Sequence, residues 1–316
     1  MDVAQGPEDF RIITGTYERI LYGINANWTK DKTLKLAPIF IVPAHTGLIR
    51  TVAVGGQFLA SGSTDEIIRL FNIKKRKEYG FLGGHHQGDI NDIQFHGKYM
   101  FTSSGDHHIG LWRVKDWEYL KTLKGHKGAI HSMSVHPSGK IALSVASDRT
   151  VILWNLMTAK KASVNKLQGE GLKVKWNTKG DRYIILFDRR ISIFNVSDGK
   201  VAKELEQRSK FHDFCCFSLD DKEYIISGHE DKTIRVWDMN TGECVNQVAG
   251  HPNRIKALTT LQSQGRDVLV SASSDGTIKC WDCSLLLDKA WTVLGEYNTK
   301  SRITCMTTHL GFDDAE

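Results

Sequence analysis

The stretch Ser147-Asp148-Arg149-Thr150-Val151-Ile152-Leu153-Trp154-Asn155 decides the fold. An aspartate opens a turn, a β-branched run follows, and an aromatic ring closes the run six positions after the aspartate. The same spacing recurs along the chain. The pairs are Asp65 and Phe71, Asp106 and Trp112, Asp148 and Trp154, Asp188 and Phe194, Asp231 and Trp237, and Asp275 and Trp281. Successive aspartates are 41, 42, 40, 43 and 44 residues apart. Each aromatic is followed by a polar residue: Asn72, Arg113, Asn155, Asn195, Asp238 and Asp282. Upstream, Gly125-His126 and Gly250-His251 recur, with Ala44-His45 and Gly84-His85 as looser copies. Self-similarity at a fixed period near forty residues signals a repeat architecture.

Between these marks the sequence alternates in short runs such as Thr150-Val151-Ile152-Leu153-Trp154 and Thr233-Ile234-Arg235-Val236-Trp237. Their β-branched and aromatic content favours strand. Ser274-Asp275-Gly276 and Thr241-Gly242 punctuate them as turns. No segment holds a capped 3.6-residue apolar period. The chain is therefore expected to be all-β, with about four short strands per repeat. Six marks leave strand-like runs unused at both ends: 17–24 and 34–42 before them, 291–297 and 302–309 after them. An open array exposes strand edges, and a single blade cannot bury its own faces. Pairing the C-terminal strand with N-terminal strands makes a seventh blade and closes the ring. One domain over 1–316 is expected, with a short acidic extension at 1–10.

These marks resemble the WD-repeat (WD40) β-propeller family, whose sequence cues are this period and the Gly-His … Trp-Asp pattern. The resemblance covers nearly the whole chain. It implies that the His, a Ser or Thr, the Asp and the Trp of one blade form a hydrogen-bonded set, and a buried Asp does need partners. The third repeat carries the set through His126, Asp148 and Trp154, and the sixth through His251, Asp275 and Trp281. Asp106 with Trp112, and Asp231 with Trp237, belong to the same pattern. The fourth repeat departs most: it lacks Gly-His, and Phe194 has no N–H to donate. The fifth also lacks Gly-His. Those two blades are expected to rely on apolar packing.

Of the 316 residues, 41% are apolar and 25% charged, an ordinary globular balance. No apolar run approaches the roughly 20 residues of a membrane span, and the acidic start is no signal peptide. Six cysteines are too few for a disulfide scaffold, so a reducing compartment is expected. Cys280-Trp281-Asp282-Cys283 has no second pair to complete a zinc site and is taken as core. His85, His86, Asp106, His107 and His108 bring five possible ligands to one blade, but solvated loop residues explain them better, and no metal or cofactor is expected. There is no phosphate-cradling loop and no nucleophile elbow; the chain reads as a non-enzyme. The net charge of +6 is uneven. Residues 113–210 carry 20 Lys and Arg against 9 Asp and Glu. A one-sided basic sector suits RNA or an acidic partner. Lys160, Lys161, Lys173, Lys175, Lys179, Arg182, Arg189 and Arg190 are its candidate contacts, to phosphates and without sequence preference. Lys74-Lys75-Arg76-Lys77 is expected to be a solvated turn between outer strands, with nuclear import as the alternative.

Further segments narrow the resemblance: Gly15-Thr16-Tyr17-Glu18-Arg19-Ile20-Leu21-Tyr22-Gly23, His136-Pro137-Ser138-Gly139-Lys140, Ala44-His45-Thr46-Gly47, Arg254-Ile255-Lys256-Ala257-Leu258 and Ser271-Ala272-Ser273-Ser274-Asp275-Gly276. Together with the degenerate fourth repeat, they are similar to the WD-repeat group that interacts with PAK-type kinases and takes part in 60S ribosome assembly. The resemblance implies a scaffold for pre-60S ribosomal proteins, assembly factors and rRNA, in the nucleus and nucleolus. It also implies, as an alternative, a negative regulator that binds a PAK-type kinase. A monomer within a larger complex is expected, with no membrane partner. Members of that group often carry a Lys-rich C-terminal tail; this sequence ends at Asp313-Asp314-Ala315-Glu316.

Overall fold

The computed structural model describes residues 9–288 and 291–311. Seven four-stranded antiparallel sheets stand around an axis, as a β-propeller. Blade 1 begins with the innermost strand Ile49–Gly55, blade 2 with Ile90–His96, blade 3 with Ile130–Val135 and blade 4 with Lys173–Trp176. Blades 5, 6 and 7 begin with Phe211–Leu219, Ile255–Ser263 and Ile303–Leu310. Blade 7 is the composite one expected. The C-terminal strand Ile303–Leu310 pairs antiparallel with Phe10–Thr16, from Phe10 opposite Leu310 to Thr16 opposite Ile303. The expected runs at 17–24 and 34–42 are strands Ile20–Trp28 and Leu34–Pro43, while Phe10–Thr16 escaped the sequence reading. Phe10 is fully buried in that strand, so the blade begins inside the segment taken as an extension; residues 1–8 lie outside the described residues.

The burial pattern follows from the architecture. A middle strand such as Ile141–Ala146 is covered on both sides by neighbouring blades and is buried almost throughout. An outermost strand such as Lys160–Lys166 is exposed at every position. The core is not one mass. It divides into seven clusters, each filling the junction between two adjacent blades. One joins Phe101, Ile109 and Leu123 of blade 2 to Ile130, Ile152 and Trp154 of blade 3. Another joins Ile13 and Leu21 of blade 7 to Ile49, Leu59 and Phe71 of blade 1, which seals the ring. Buried Arg11 adds a hydrogen bond across that seam, donating to the Ile73 carbonyl at 2.9 Å.

Outermost strands are the free edges of the propeller. Lysines, or Pro38 and Pro43 in blade 7, occupy several of them. Both features discourage edge-to-edge pairing with other chains.

Candidate functional site

The polar sets lie where the loop entering a blade meets the turn between its second and third strands. In blade 3, Asp148 accepts from the His126 Nδ1–H at 3.0 Å and from the Lys127 and Thr150 backbone N–H groups. With that tautomer, His126 Nε2 accepts from the Ser144 hydroxyl at 2.7 Å, and Trp154 Nε1–H donates to Ser144 Oγ at 2.8 Å. Blade 2 repeats the set with His86, Asp106, Thr102 and Trp112. Blade 1 does so with His45, Asp65 and Ser61, where Phe71 cannot donate. Burial works against the Asp106 charge, but the His86 hydrogen bond and charge outweigh it and hold the carboxyl down at about 2.

The connectivity Ser144–His126–Asp148 is that of a nucleophilic triad. Its chemistry is closed off. Ser144 is fully buried, and the Trp154 N–H occupies its oxygen. The set fixes a turn and offers nothing to a substrate.

Two blades differ from expectation. Blade 5 lacks Gly-His, yet its polar set survives. His229, fully buried at the end of strand Lys222–His229, bonds Ser227 Oγ at 2.8 Å, and Trp237 Nε1–H donates to the same oxygen at 2.8 Å. Asp231 stands outside this set and pairs with Arg235 and Thr233. In blade 6, His251 bonds Ser271 and Trp281 donates to Ser271, but the expected link to Asp275 is open. The Nδ1 atoms of His229 and His251 are buried without a partner among the described residues. Burial, aided by Arg235, pushes His229 down to about 3; burial, aided by Lys279, pushes His251 down to about 4. Blade 4 has no set at all. Ile185 stands where blade 3 has Ser144, and Phe194 stacks on Tyr183 with centroids 4.8 Å apart.

The candidate basic residues do not form one surface. Lys160 and Lys161 lie on the exposed outer edge of blade 3, with Lys166. Lys179 is exposed in the first turn of blade 4. Arg182 reaches the neighbouring blade at Asn240 Oδ1, 2.9 Å away. Arg189 is exposed at the turn between the second and third strands, whereas Arg190 lies over the Phe187 ring, near Glu204. Lys173 and Lys175 belong to the central channel. Lys173 Nζ is 2.5 Å from the buried carboxylate of Asp213, and Lys175 donates to the Phe214 carbonyl at 2.8 Å. Charge density along a sequence does not separate rim from channel.

The channel mouth carries one residue from each inner strand: Arg50, Asn91, His131, Lys173, His212, Lys256 and Thr304. Several reach a carboxylate of the next blade, as Arg50 does with Asp89 at 2.8 Å and His131 with Glu170 at 2.6 Å. These pairs stitch blades together around the axis. Lys256 has no carboxylate partner among the described residues; its Nζ is 3.5 Å from His212 Nδ1.

The cysteines are unpaired. Cys215, Cys280 and Cys283 are buried, and burial pushes the Cys215 thiol up to about 12. His85, offered with His86, Asp106, His107 and His108 as a ligand group, instead stacks on Tyr119 at 4.2 Å, and no group of three or more possible metal ligands is gathered among the described residues.

The WD domain, G-beta repeat pattern matches residues 36–72, 76–113, 117–155, 209–238 and 242–282. The unmatched span 156–208 holds nearly all of blade 4, the blade without a polar set. The chain is 33% identical to a p21-activated protein kinase-interacting protein 1-like from Danio rerio, over 95% of this chain and 80% of that protein. It is 32% identical to Protein MAK11 from Saccharomyces cerevisiae, over 94% and 82%. It is 28% identical to Shk1 kinase-binding protein 15 from Schizosaccharomyces pombe, over 97% and 86%.

Proposed function

Since this chain belongs to the WD-repeat family, and within it to the group of the p21-activated protein kinase-interacting protein 1-like proteins, we propose that it is a non-enzymatic scaffold in assembly of the large (60S) ribosomal subunit. It holds ribosomal proteins, assembly factors and rRNA, and it acts in the nucleolus. The resemblance of its marker segments to the 60S-assembly group suggests the pathway. The observation that carries the scaffold reading is the outer edge of blade 3. Lys160, Lys161 and Lys166 are exposed there on one strand that bears no carboxylate. That edge suits the acidic tails of protein partners, whose attraction is long-ranged and weakened by salt. The polar sets, by contrast, are consumed in holding turns.

The test is co-sedimentation of the tagged chain with pre-60S particles, with and without RNase. Charge reversal at Lys160, Lys161 and Lys166 is expected to weaken the association that survives RNase. Absence of the wild-type chain from the particles removes the assembly reading. A second reading has its own support. Two of the relatives are named for kinase binding, which favours a chain that binds and restrains a PAK-type kinase. It predicts a stoichiometric kinase complex without RNA.

A further inference from the structure

The run Lys74-Lys75-Arg76-Lys77 forms the expected turn between the two outer strands of blade 1. The sequence did not reveal what lies beside it. Phe58, Tyr79 and Trp117 form a cluster across the junction of blades 1 and 2. Trp117 meets Phe58 edge-to-face at 5.0 Å, and Tyr79 meets Phe58 at 5.3 Å and Trp117 at 6.2 Å. Tyr79 keeps 55% of its surface exposed, and Tyr99 on the same end of blade 2 keeps 44%. Lys98 precedes Tyr99 in an exposed turn, and Lys115 is two residues from Trp117. One end of two adjacent blades thus combines exposed rings with a concentration of cations.

The backbone shows that Trp117 is held there against local preference. It occupies the fifth position after the third-strand aromatic, where five blades share a positive φ: Trp117 has φ 59°, and the equivalent Arg76, Ala159, Gly199 and Gly242 have φ 52°, 49°, 65° and 79°. Two blades use glycine, the residue that tolerates this region. A bulky ring there is strained, and what it gains is contact with Phe58, Phe95 and Tyr79. Trp117 is the buttress that fixes the exposed Tyr79 ring.

We infer that this rim binds a single strand of RNA, with bases stacked on Tyr79 and Tyr99 and phosphates held by Lys75, Lys77, Lys98 and Lys115. Exposed rings interleaved with cations are the means by which proteins hold single strands without reading their sequence. The inference rests on the assembly reading for its biological setting, and it shifts the RNA contact from the bulk of the 113–210 stretch to the rim of blades 1 and 2, with Lys115 alone common to both. An acidic peptide matches the lysines but leaves the exposed rings unused.

The experiment is fluorescence-anisotropy titration of the full chain with a 15-nucleotide oligouridylate. Four neutralised phosphates give a salt slope of about −3, so raising salt from 50 to 200 mM is expected to weaken binding about fiftyfold. Tyr79→Ala and Tyr99→Ala should each weaken it about tenfold, with the melting temperature held. Joint reversal of Lys75, Lys77, Lys98 and Lys115 to Glu should abolish it, while reversal of Lys160, Lys161 and Lys166 should leave it intact. Binding that survives the rim reversal, indifference to both tyrosine changes, or preference for a polyglutamate peptide overturns the inference. Failure to bind oligouridylate alongside intact pre-60S co-sedimentation removes this surface alone. Oligouridylate binding without particle association supports the surface and removes the assembly reading.

Discussion

Acidification from pH 7 to pH 5 should destabilise this propeller steeply, and the cause lies in two histidines. His229 and His251 sit in the cores of blades 5 and 6 with ordinary polar partners on one ring nitrogen only. Burial holds their folded-state values at about 3 and about 4, against 6.5 for an exposed imidazole. The unfolded chain therefore takes up two protons on falling through 6.5 that the folded chain refuses. Stability is full above that value and is lost as pH falls from 6.5 toward 4. Each group contributes up to about 1.4 kcal/mol per pH unit inside the window. Integrated from pH 7 to pH 5, the pair removes about 4 kcal/mol, a large part of the usual stability of a domain. His45 and His126, also lowered by burial, act in the same direction. The carboxylates lowered in the polar sets lose their contribution only below 3.8 and stay out of this window. Urea unfolding at the two pH values measures the difference. His229→Gln should lower stability at pH 7 but reduce the pH 7-to-5 loss by about 2 kcal/mol. A urea midpoint that is flat or rising toward pH 5 refutes the reasoning.

Three further outcomes follow from the packing. Trp154→Ala should cost about 3–5 kcal/mol as a buried aromatic deletion, and Trp154→Phe about 1 kcal/mol for the lost bond to Ser144; Phe194→Leu in blade 4 should stay under about 1.5 kcal/mol, all by thermal or urea unfolding. Ile12→Ala and Ile13→Ala, both fully buried in the closing strand, should each cost about 2–5 kcal/mol and show that the seam is part of the cooperative ring. A thiol reagent should modify Cys244, the exposed cysteine, first in the native chain, with buried Cys215, Cys280 and Cys283 reacting only on unfolding.

Much of this architecture is legible from the spacing of Asp and aromatic residues, because a blade needs the same turn and the same buried ring each time. What the spacing hides is substitution within a role. His229 replaces an incoming loop histidine from inside the strand, two residues before Asp231, at the place where blades 1 and 2 have Ser63 and Ser104. A search for Gly-His cannot find it; a search for any histidine able to reach Ser227 could. Strand Phe10–Thr16 pairs with Ile20–Trp28 on one side and with Ile303–Leu310, almost three hundred residues away, on the other, and it is not legible because no Asp-to-aromatic mark announces its blade. The aromatic rim was hidden because Phe58, Tyr79, Tyr99 and Trp117 belong to four different strands and turns, and no local pattern brings them together.

Lys173 shows how a charge that looks like a docking residue can be a structural one. Counted along the chain it is part of the most basic stretch, and on that count its reversal is a fair probe of partner binding. In the structure its Nζ is 2.5 Å from Asp213, a carboxylate that burial disfavours and that Lys173, with Lys175, holds in its ionised form. Asp213 also accepts from the Leu258 N–H at 2.9 Å, so one carboxylate ties blade 4 to blades 5 and 6. Removing the ammonium leaves that charge buried without its cation. Lys173→Met should therefore cost about 3–5 kcal/mol, the usual result of breaking a buried pair from one side. Lys173→Met combined with Asp213→Asn removes both charges together, and the double variant should recover a large part of the loss, a coupling that separates a lost pair from a lost side chain. If Lys173→Met melts like the wild type, the ammonium is a surface charge after all and returns to the list of partner contacts. If it melts early and the double variant recovers, loss of particle association on reversing Lys173 reports an opened propeller, and only the rim lysines can report on partners.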